Sequence, residues 1–394
     1  MDINISMNIL FITHYSGYYG ANKSLLTVMC QLRERFGIKP LVLLPSSGPV
    51  CAALDEVGIP YVIRHYYWWV NDNRGLFQWL LNKRKQWRNQ LRIGALCDSV
   101  LALSQERYSE NPALVYTNSV CVNVGIFMAE RLGVPHVWQF RESLSQFSLS
   151  LSLALSLKLW QKDVNKRYIL ISDYMMNYYR PYLPAERMTC IYNGVSVPAK
   201  AERETENVLK GRLKVAIVGV VCQQKNQLEL LQAQSILHEH EQGIEIDTYI
   251  IGTNKKEYLQ QVEEYTQEHE LSQYVHIIGH QDDVFAVLKE MNLGVVSATD
   301  EAFGRTTIEF MLMKMPVVVS DSGANAELIR NGQDGYVYVS GDANALAAAI
   351  KRYVEHPELL QVHGHSACQY AMDNFSAETN AEAIYKVINE VMNE

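Results

Sequence analysis

The 394-residue sequence lacks several patterns that mark common protein classes. Its seven cysteines are odd in number and none forms a C-x-x-C pair, so neither a disulfide framework nor a zinc site is predicted. No run of about 18 apolar residues could cross a bilayer, and the amino terminus lacks the charged and apolar regions of a signal peptide. These absences predict a cytoplasmic protein with reduced thiols.

Two common nucleotide-binding signatures are also missing. The loop after the first predicted strand, residues 14–22, has no G-x-G-x-x-G, and the equivalent loop of the second half contains only Gly219. No Walker sequence is present. An NAD-dependent enzyme and a P-loop nucleotidase are therefore disfavoured.

Length and charge divide the chain into two halves. A chain of this length exceeds one ordinary hydrophobic core. Residues 1–212 carry 24 Lys and Arg against 16 Asp and Glu, whereas residues 213–394 carry 11 against 27. We predict a basic domain over 1–198, a polar linker over 199–212, an acidic domain over 213–376, and a helix over 377–394 that packs back across the junction.

Each half begins with an apolar strand, a glycine-containing loop and a helix. The strands are residues 8–13 and 214–219, and the helices start near Lys23 and Asn226. Further strands and helices alternate in both halves, which predicts parallel sheets covered by helices. The predicted fold class is α/β, with two doubly wound domains that leave a cleft between their strand ends.

Two glutamates follow the apolar strand 293–297. Glu301 is predicted in the loop at the carboxyl end of this strand, where open α/β sheets bind ligands, and Glu309 in the helix that follows. Surface acids are the alternative interpretation. The two carboxylates can accept hydrogen bonds from hydroxyl groups, and the helix amino terminus can bind a diphosphate. This combination suits a sugar nucleotide. The amides of that helix start belong to Phe303, Gly304 and Arg305.

Short motifs occur in a fixed order along nearly the whole chain. They are YGAN at 19–22, YTNS at 116–119, ISD at 171–173, IYNGV at 191–195, VG at 218–219 with KN at 225–226, IGH at 278–280, EAFGRTTIE at 301–309 and ELIRNG at 327–332. Together they closely resemble the retaining glycosyltransferases of glycosyltransferase family 4. That resemblance implies the GT-B fold, in which two Rossmann-like domains face each other across a cleft, and a nucleotide-sugar donor, with a UDP-sugar favoured.

The resemblance implies roles for the matching residues. Glu301 would contact hydroxyls of the donor sugar, Glu309 the ribose, and Lys225 the diphosphate. Arg141 stands where many members carry a histidine that touches the sugar, and a local ion pair with Glu142 is the alternative. The implied catalytic residues are thus Glu301, Lys225 and Arg141. The other implied donor-binding residues are Gly20, Gly219, Gly279, His280, Gln281, Phe303, Gly304, Arg305 and Glu309.

One departure affects the diphosphate site. Family members usually carry an arginine five residues before the lysine, and this chain has Val220 there. A cation beside a developing diphosphate charge contributes several kcal/mol to catalysis, so Arg305 or Arg141 is left as the substitute. No cofactor and no metal is expected, because Lys225 and the helix amides can do for the diphosphate what a metal does elsewhere. Asp282 and Asp283 are better interpreted as a helix cap than as metal ligands.

The segment 64–92 points to an acceptor. It holds four of the six tryptophans and seven basic residues against one acid, Asp72. Apolar Leu76, Trp79, Leu80, Trp87 and Leu91 stand among cations, as in a helix lying on anionic lipid. We hypothesise peripheral contact with the inner membrane face; a buried helix with a basic face is the alternative. Nucleic acid is not an expected partner.

These features predict a metal-independent, retaining glycosyltransferase. The acceptor would be a glycan, expected to be lipid-linked, in bacterial surface polysaccharide assembly. A sugar-nucleotide epimerase on the same scaffold and a catalytically silent binding partner remain as alternatives, the latter because of Val220.

Overall fold

The computed structural model describes residues 7–69, 76–143, 165–196, 209–240, 244–253 and 255–394. The chain forms two compact units. Unit 1 comprises Met1–Gly194 together with Ala377–Glu394, and unit 2 comprises Val195–Ser376. Most of the predicted linker 199–212 lies outside the described residues, since its description begins at residue 209.

Unit 1 contains a seven-stranded parallel sheet. Its strands are β1 (Asn8–Ile12), β2 (Lys39–Leu44), β3 (Tyr61–Ile63), β4 (Leu114–Thr117), β5 (His136–Phe140), β6 (Lys166–Leu170) and β7 (Met188–Cys190), in the order β3-β2-β1-β4-β5-β6-β7. Its helices include α1 (Gly20–Phe36), α2 (Pro49–Glu56), α3 (Leu76–Tyr108), α4 (Val124–Leu132) and α5 (Asp173–Tyr179). Strand β1 is buried along its whole length, as expected for a parallel strand covered on both faces.

Unit 2 contains a six-stranded parallel sheet. Its strands are β8 (Leu213–Val218), β9 (Ile246–Ile251), β10 (Val275–Gly279), β11 (Leu293–Val296), β12 (Val317–Ser320) and β13 (Gly335–Tyr338), in the order β10-β9-β8-β11-β12-β13. Its helices include α6 (Gln227–His240), α7 (Lys256–Glu268), α8 (Val284–Leu288), α9 (Arg305–Leu312), α10 (Ala343–Glu355) and α11 (Glu358–Phe375). The two doubly wound parallel sheets predicted from the sequence are confirmed.

Both sheets reverse their strand order once. In unit 1 the reversal lies between β1 and β4, and in unit 2 between β8 and β11. At such a point the loops from neighbouring strands leave toward opposite faces of the sheet and open a crevice. The loops after these four strands are therefore the positions to inspect for a site.

The last helix, α12 (Ala377–Met392), belongs to unit 1. Its apolar face enters the unit 1 core through Ile384 and Ile388, and the ring of Tyr385 stacks on that of Phe36 at a centroid distance of 4.0 Å. The Asn380 side chain donates to the carbonyl oxygen of Tyr192 at 2.5 Å. Among the described helices, none is long and apolar enough to cross a membrane.

One histidine of β5 is fully enclosed by the unit 1 sheet. His136 has no exposed surface, and its Nε2 lies 2.8 Å from Thr117 Oγ1. Burial, together with the charge of Lys166, lowers the pKa of His136 to about 3. The ring is therefore neutral in the folded protein throughout the physiological range.

This neutrality predicts an acid sensitivity. The unfolded chain takes up a proton at His136 near pH 6.5, whereas the folded protein does not. The stability contributed by this group is therefore full above pH 6.5 and is lost as the pH falls toward 3, by up to about 1.4 kcal/mol per pH unit. We expect His136→Gln to flatten the loss of unfolding free energy between pH 7 and pH 5.

Urea unfolding followed by tryptophan fluorescence measures this in unit 1, because all six tryptophans lie between residues 68 and 160. The control is His65→Gln, which replaces an exposed histidine of the same unit. An unchanged pH slope in His136→Gln would contradict the assignment.

Candidate functional site

The two loops at the reversal point of unit 2 are joined by hydrogen bonds. Ser297, the residue after β11, donates from Oγ to the carbonyl oxygens of Lys225 and Asn226 at 3.0 and 2.9 Å. Two residues further on, the amide of Thr299 donates to the carbonyl oxygen of Gln224 at 2.9 Å. The loop after β8 is therefore fixed against the loop after β11.

This junction brings the first two predicted site residues together. The Lys225 ammonium group forms an ion pair with the Glu301 carboxylate, and their side chains are 28% and 20% exposed. The aliphatic part of Lys225 passes Gly219, where a Cβ atom would lie 3.6 Å from three of its carbons. A Cβ atom at that distance would only make an ordinary van der Waals contact, so it is the φ of +147° that favours glycine here.

The backbone at Glu301 is held by a close approach of a second loop. The carbonyl oxygen of Glu301 accepts a hydrogen bond from Ala324 N at 2.7 Å. Gly323, with φ of +63°, lies so near that a Cβ atom on it would be 2.3 Å from that carbonyl oxygen. Only glycine fits at this position without a shift of the chain.

Helix α9 begins at Arg305, among the residues whose amides are predicted at its start. Gly304 precedes it in the left-handed region, with φ of +83°, and so provides the turn that directs the chain into the helix. Arg305 Nε donates to Glu309 Oε1 at 2.8 Å, one turn along. The Phe303 side chain is buried and faces the ring of Phe375, so it belongs to the core.

The position that lacks the expected cation faces solvent. Val220 is 41% exposed, whereas the neighbouring Val221 and Cys222 are buried. Of the two proposed substitutes, Arg305 lies in the same unit as Val220 and is paired with Glu309. The described part of the site therefore pairs each of its two cations with one of the two glutamates.

Three of the predicted donor-binding residues, Gly279, His280 and Gln281, lie at the end of β10. Gly279, with φ of +75°, accepts at its carbonyl oxygen from Gly252 N at 2.8 Å, and Gly219 N donates to Ile251 O at 2.9 Å. The end of β10 is thus connected through β9 to the Lys225 loop. His280 is exposed beside Asp282 at 3.5 Å, and Gln281 Nε2 donates to Ile278 O at 3.3 Å.

Asp283 caps helix α8, as predicted. Its carboxylate accepts a hydrogen bond from Ala286 N at 3.2 Å. The described residues contain no group of three or more His, Cys, Asp or Glu side chains placed to hold a metal ion.

Arg141 lies in unit 1, directly after β5. It is buried, and its guanidinium donates to three amide oxygens: Asn118 Oδ1 at 2.6 Å, Asn193 Oδ1 at 2.6 Å and Gln139 Oε1 at 2.7 Å. Gly20 is the first residue of α1, and no atom lies within 4 Å of the position its Cβ would take. The structure thus places Gly20 and Arg141 at the carboxyl edge of the unit 1 sheet.

Comparison with known proteins finds one family model that matches part of the chain. Residues 199–370 match the family model of glycosyl transferases group 1. The lipopolysaccharide core biosynthesis mannosyltransferase LpcC of Rhizobium leguminosarum bv. viciae is 36% identical over 122 residues, which cover 31% of this chain and 35% of the relative. The capsular polysaccharide biosynthesis glycosyltransferase CapM of Staphylococcus aureus is 24% identical over 198 residues, half of each chain. The chain thus spans half or less of the length of these relatives.

Solved structures match over the whole chain. HepE of Anabaena in complex with UDP aligns with a TM-score of 0.76 and 19% identity, covering 98% of this chain and 100% of that one. A glycosyltransferase from Rickettsia africae aligns with a TM-score of 0.75 and 18% identity, covering 98% and 99%. The predicted GT-B fold is confirmed. The Lys225, Glu301 and Glu309 side chains all lie within the matched group 1 domain.

Sequence reasoning missed a buried acid in the matched region 199–370. Glu229 of α6 is 2% exposed, and its carboxylate accepts from Gly341 N and from Asn226 Nδ2, each at 2.6 Å. Burial raises its pKa. Because Asn226 follows Lys225 directly, Glu229 supports the loop that carries the lysine. No local pattern signals this, since Gly341 lies far away in the sequence.

A glycine substitution tests how tightly the Glu301 backbone is held. Gly323→Ala introduces both a left-handed alanine and the close contact with Glu301 O. Gly332→Ala is the matched control, because Gly332 has φ of +76° but no atom within 4 Å of its Cβ position. We expect the control to cost roughly 1–2 kcal/mol of unfolding free energy and Gly323→Ala about 1–3 kcal/mol more.

Differential scanning calorimetry of both variants and the unchanged protein measures this difference. If the two substitutions destabilise the protein equally, the backbone at Glu301 can move to accommodate the added methyl group, and it is not held tightly as predicted.

Proposed function

We propose that the protein is a retaining, metal-independent glycosyltransferase of family 4 that transfers a sugar from a nucleotide-diphosphate donor, with a UDP-sugar favoured. The acceptor would be a lipid-linked glycan in bacterial surface polysaccharide biosynthesis, and the enzyme would work in the cytoplasm. The match of residues 199–370 to glycosyl transferases group 1 supports the class. The pathways of lipopolysaccharide core and capsular polysaccharide biosynthesis, to which LpcC and CapM belong, support the proposed pathway, and the UDP complex of HepE supports the base.

The observation that carries the proposal is the Lys225–Glu301 pair at the strand reversal of the group 1 domain. The bond to be broken joins the sugar to the diphosphate, and a neighbouring cation and carboxylate would bind one of these two groups each. Lys225 would move to the diphosphate, whose charge grows as the bond breaks, and Glu301 would accept hydrogen bonds from the sugar hydroxyls. Glu309 would bind the ribose in the same manner.

The reaction would follow a front-face route. The bond between the sugar anomeric carbon and the diphosphate oxygen breaks, and the acceptor oxygen bonds to that carbon on the same face. The acceptor proton passes to the leaving diphosphate oxygen, so no protein nucleophile is needed. Lys225 and the positive end of the α9 dipole would stabilise the departing charge, with Arg305 as the second cation in place of the one absent at Val220.

Helix α3 supports the proposed membrane contact. Leu80, Trp87 and Leu91 are 53%, 59% and 65% exposed, and their spacing places them on one side of the helix. The opposite side is buried and includes Ile93 and Leu96. Exposed apolar side chains beside Lys83 and Arg84 fit an interfacial helix on anionic lipid. Of the other predicted contact residues, Asp72, Arg74 and the side chains of Leu76 and Trp79 lie outside the described residues.

A catalytically silent partner is the second candidate. The observation that favours it is the exposed apolar side chain of Val220 where a diphosphate-binding cation is expected. Nucleotide binding separates the two candidates, because a silent relative that has lost the diphosphate contact would bind no nucleotide diphosphate. Conversion of a sugar nucleotide without an acceptor would instead indicate an epimerase.

The donor site is tested by calorimetric titration with UDP, GDP, ADP, TDP and their common sugar conjugates. We expect one base, UDP, to bind selectively. Glu309→Gln should weaken it by about 10- to 100-fold, because hydrogen bonds to a charged group contribute about 1.5–3 kcal/mol. Glu290→Gln, an exposed acid of the same unit, is the control.

Two outcomes would count against the donor site. Absence of binding to every nucleotide would favour the silent partner, and equal affinity in both variants would remove Glu309 from the site. If binding is found, the transfer product should keep the anomeric configuration of the donor by NMR, and EDTA should leave the rate unchanged.

Membrane contact is tested by sedimentation with vesicles of phosphatidylglycerol and phosphatidylcholine. We expect binding to the anionic vesicles that falls with salt. The triple variant Lys83→Glu, Arg84→Glu, Lys85→Glu should bind roughly 100-fold more weakly or worse, since each basic residue near the surface contributes about 1 kcal/mol. Lys255→Glu with Lys256→Glu, exposed residues of unit 2, is the control. Weak binding that the triple variant does not change would contradict the membrane hypothesis.

A further inference from the structure

At the carboxyl edge of the unit 1 sheet, a histidine and a glutamate face each other across a gap. His14 Nε2 lies 3.8 Å from Glu142 Oε1, which is too far for a direct hydrogen bond. His14 Nδ1 is buried and has no hydrogen-bond partner among the described residues. Burial and the charge of Arg141 lower the pKa of His14 to about 3. The ring is therefore neutral, and the tautomer with a proton on Nε2 directs a donor toward the carboxylate.

The Glu142 carboxylate is held in a fixed orientation. Ser119 Oγ lies 3.0 Å from both of its oxygens, and Val120 N donates to Oε2 at 3.2 Å. These contacts leave Oε1 the less occupied oxygen, on the side of His14. The side chain is 19% exposed, so a ligand can reach it.

A hydroxyl group placed to one side of this pair can contact both atoms. Its oxygen can accept a hydrogen bond from His14 Nε2–H while its proton is donated to Glu142 Oε1. An ammonium group would lack the acceptor that the histidine needs, and a carboxylate would meet Glu142 with like charge. The chemistry of the pair thus favours an alcohol.

Aromatic rings connect this pair to the surface. The ring of Tyr15 is 4.3 Å from that of His14, and Trp68 is 5.4 Å from it on another side. Tyr19 stacks on Tyr15 with a centroid distance of 6.3 Å and an interplanar angle of 14°. Tyr19 is 70% exposed and Trp68 36%. Exposed rings beside a polar pair suit a ligand with C–H groups on one face and hydroxyls at its rim, as in a sugar ring.

We infer that Glu142 and His14 bind a ring hydroxyl of the acceptor, and that Tyr15, Tyr19 and Trp68 hold the sugar ring that carries it. The inference rests on the proposed transferase function and specifies its acceptor as a glycan ending in a sugar, rather than a bare lipid alcohol or a protein hydroxyl. It assigns the contact to the acid beside Arg141, whereas Arg141 itself donates to Asn118, Asn193 and Gln139.

Tryptophan fluorescence can detect this binding, because every tryptophan lies in unit 1 and Trp68 borders the site. The probes are the methyl glycosides of glucose, galactose, mannose and N-acetylglucosamine, with glycerol as a hydroxyl compound that lacks a ring. We expect a saturable change with at least one glycoside and none with glycerol. Glu142→Gln and Tyr19→Ala should each weaken this binding at least tenfold.

Matched variants separate the contact from general disturbance. Glu130→Gln changes an exposed acid of the same unit, and Tyr19→Phe keeps the ring, so both should bind as the unchanged protein does. No saturable change with any glycoside would overturn the inference, as would Glu142→Gln binding like Glu130→Gln. If Glu142→Gln alters the circular dichroism spectrum, the test rests on the exposed Tyr19 instead. In that case, equal glycoside binding by Tyr19→Ala and Tyr19→Phe would overturn the inference.

The proposed function is tested separately on the same samples. Calorimetric titration with UDP measures the donor site in the other unit, and it should be the same in all four variants. If the protein binds a glycoside but no nucleotide, the proposed transferase function is contradicted and the sugar site still stands. If it binds a nucleotide but no glycoside, only the sugar site is contradicted.

Discussion

The hydroxyl of Ser297 holds together the two loops on which the candidate donor site depends. It is fully buried and donates to the carbonyl oxygens of Lys225 and Asn226. Asn226 has φ of +52°, a conformation that is unfavourable for a residue with a Cβ atom. The turn therefore needs support from outside, which Ser297 gives on one side and Glu229 on the other. The direction of the Lys225 side chain follows from the shape of this turn.

The four charged side chains of the site are paired with one another. Lys225 is paired with Glu301, and Arg305 with Glu309. Two unpaired carboxylates so close to a diphosphate site would repel the anion that the site is proposed to bind. In the proposed reaction, a diphosphate would replace Glu301 as the partner of Lys225, and sugar hydroxyls would replace the lysine as the partners of Glu301.

Much of the fold could be predicted because parallel strands covered on both faces consist of nearly continuous apolar residues, as in β1 and β12. The start of α1, predicted near Lys23, was placed three residues too late. Gly20 stands at the helix start, and glycine in a sequence is typical of a loop.

The buried acids could not be predicted, for a different reason. A glutamate in a helix or after a strand is usually a solvated surface residue. Glu229 is buried because Gly341 N, 112 residues away, supplies a donor. Glu142 is partly buried, and Ser119 and Val120 donate to it from the neighbouring strand end. Such long-range partners leave no periodic signal in the sequence. The motif order did locate Glu301 and Lys225, which are 76 residues apart and paired.

The two sheets reverse their strand order in the same way and yet present different chemistry there. In unit 2 the reversal carries ammonium and guanidinium groups paired with acids. In unit 1 the cation Arg141 is surrounded by amide oxygens, and the histidine beside it stays neutral because that cation and its own burial lower its pKa. Cations paired with carboxylates suit a charged diphosphate that can take the place of those partners, whereas a neutral donor beside a carboxyl oxygen suits an uncharged hydroxyl. The same topology would thus serve the donor in one unit and the acceptor in the other, and the difference between them lies in whether the cation is free to exchange its partner.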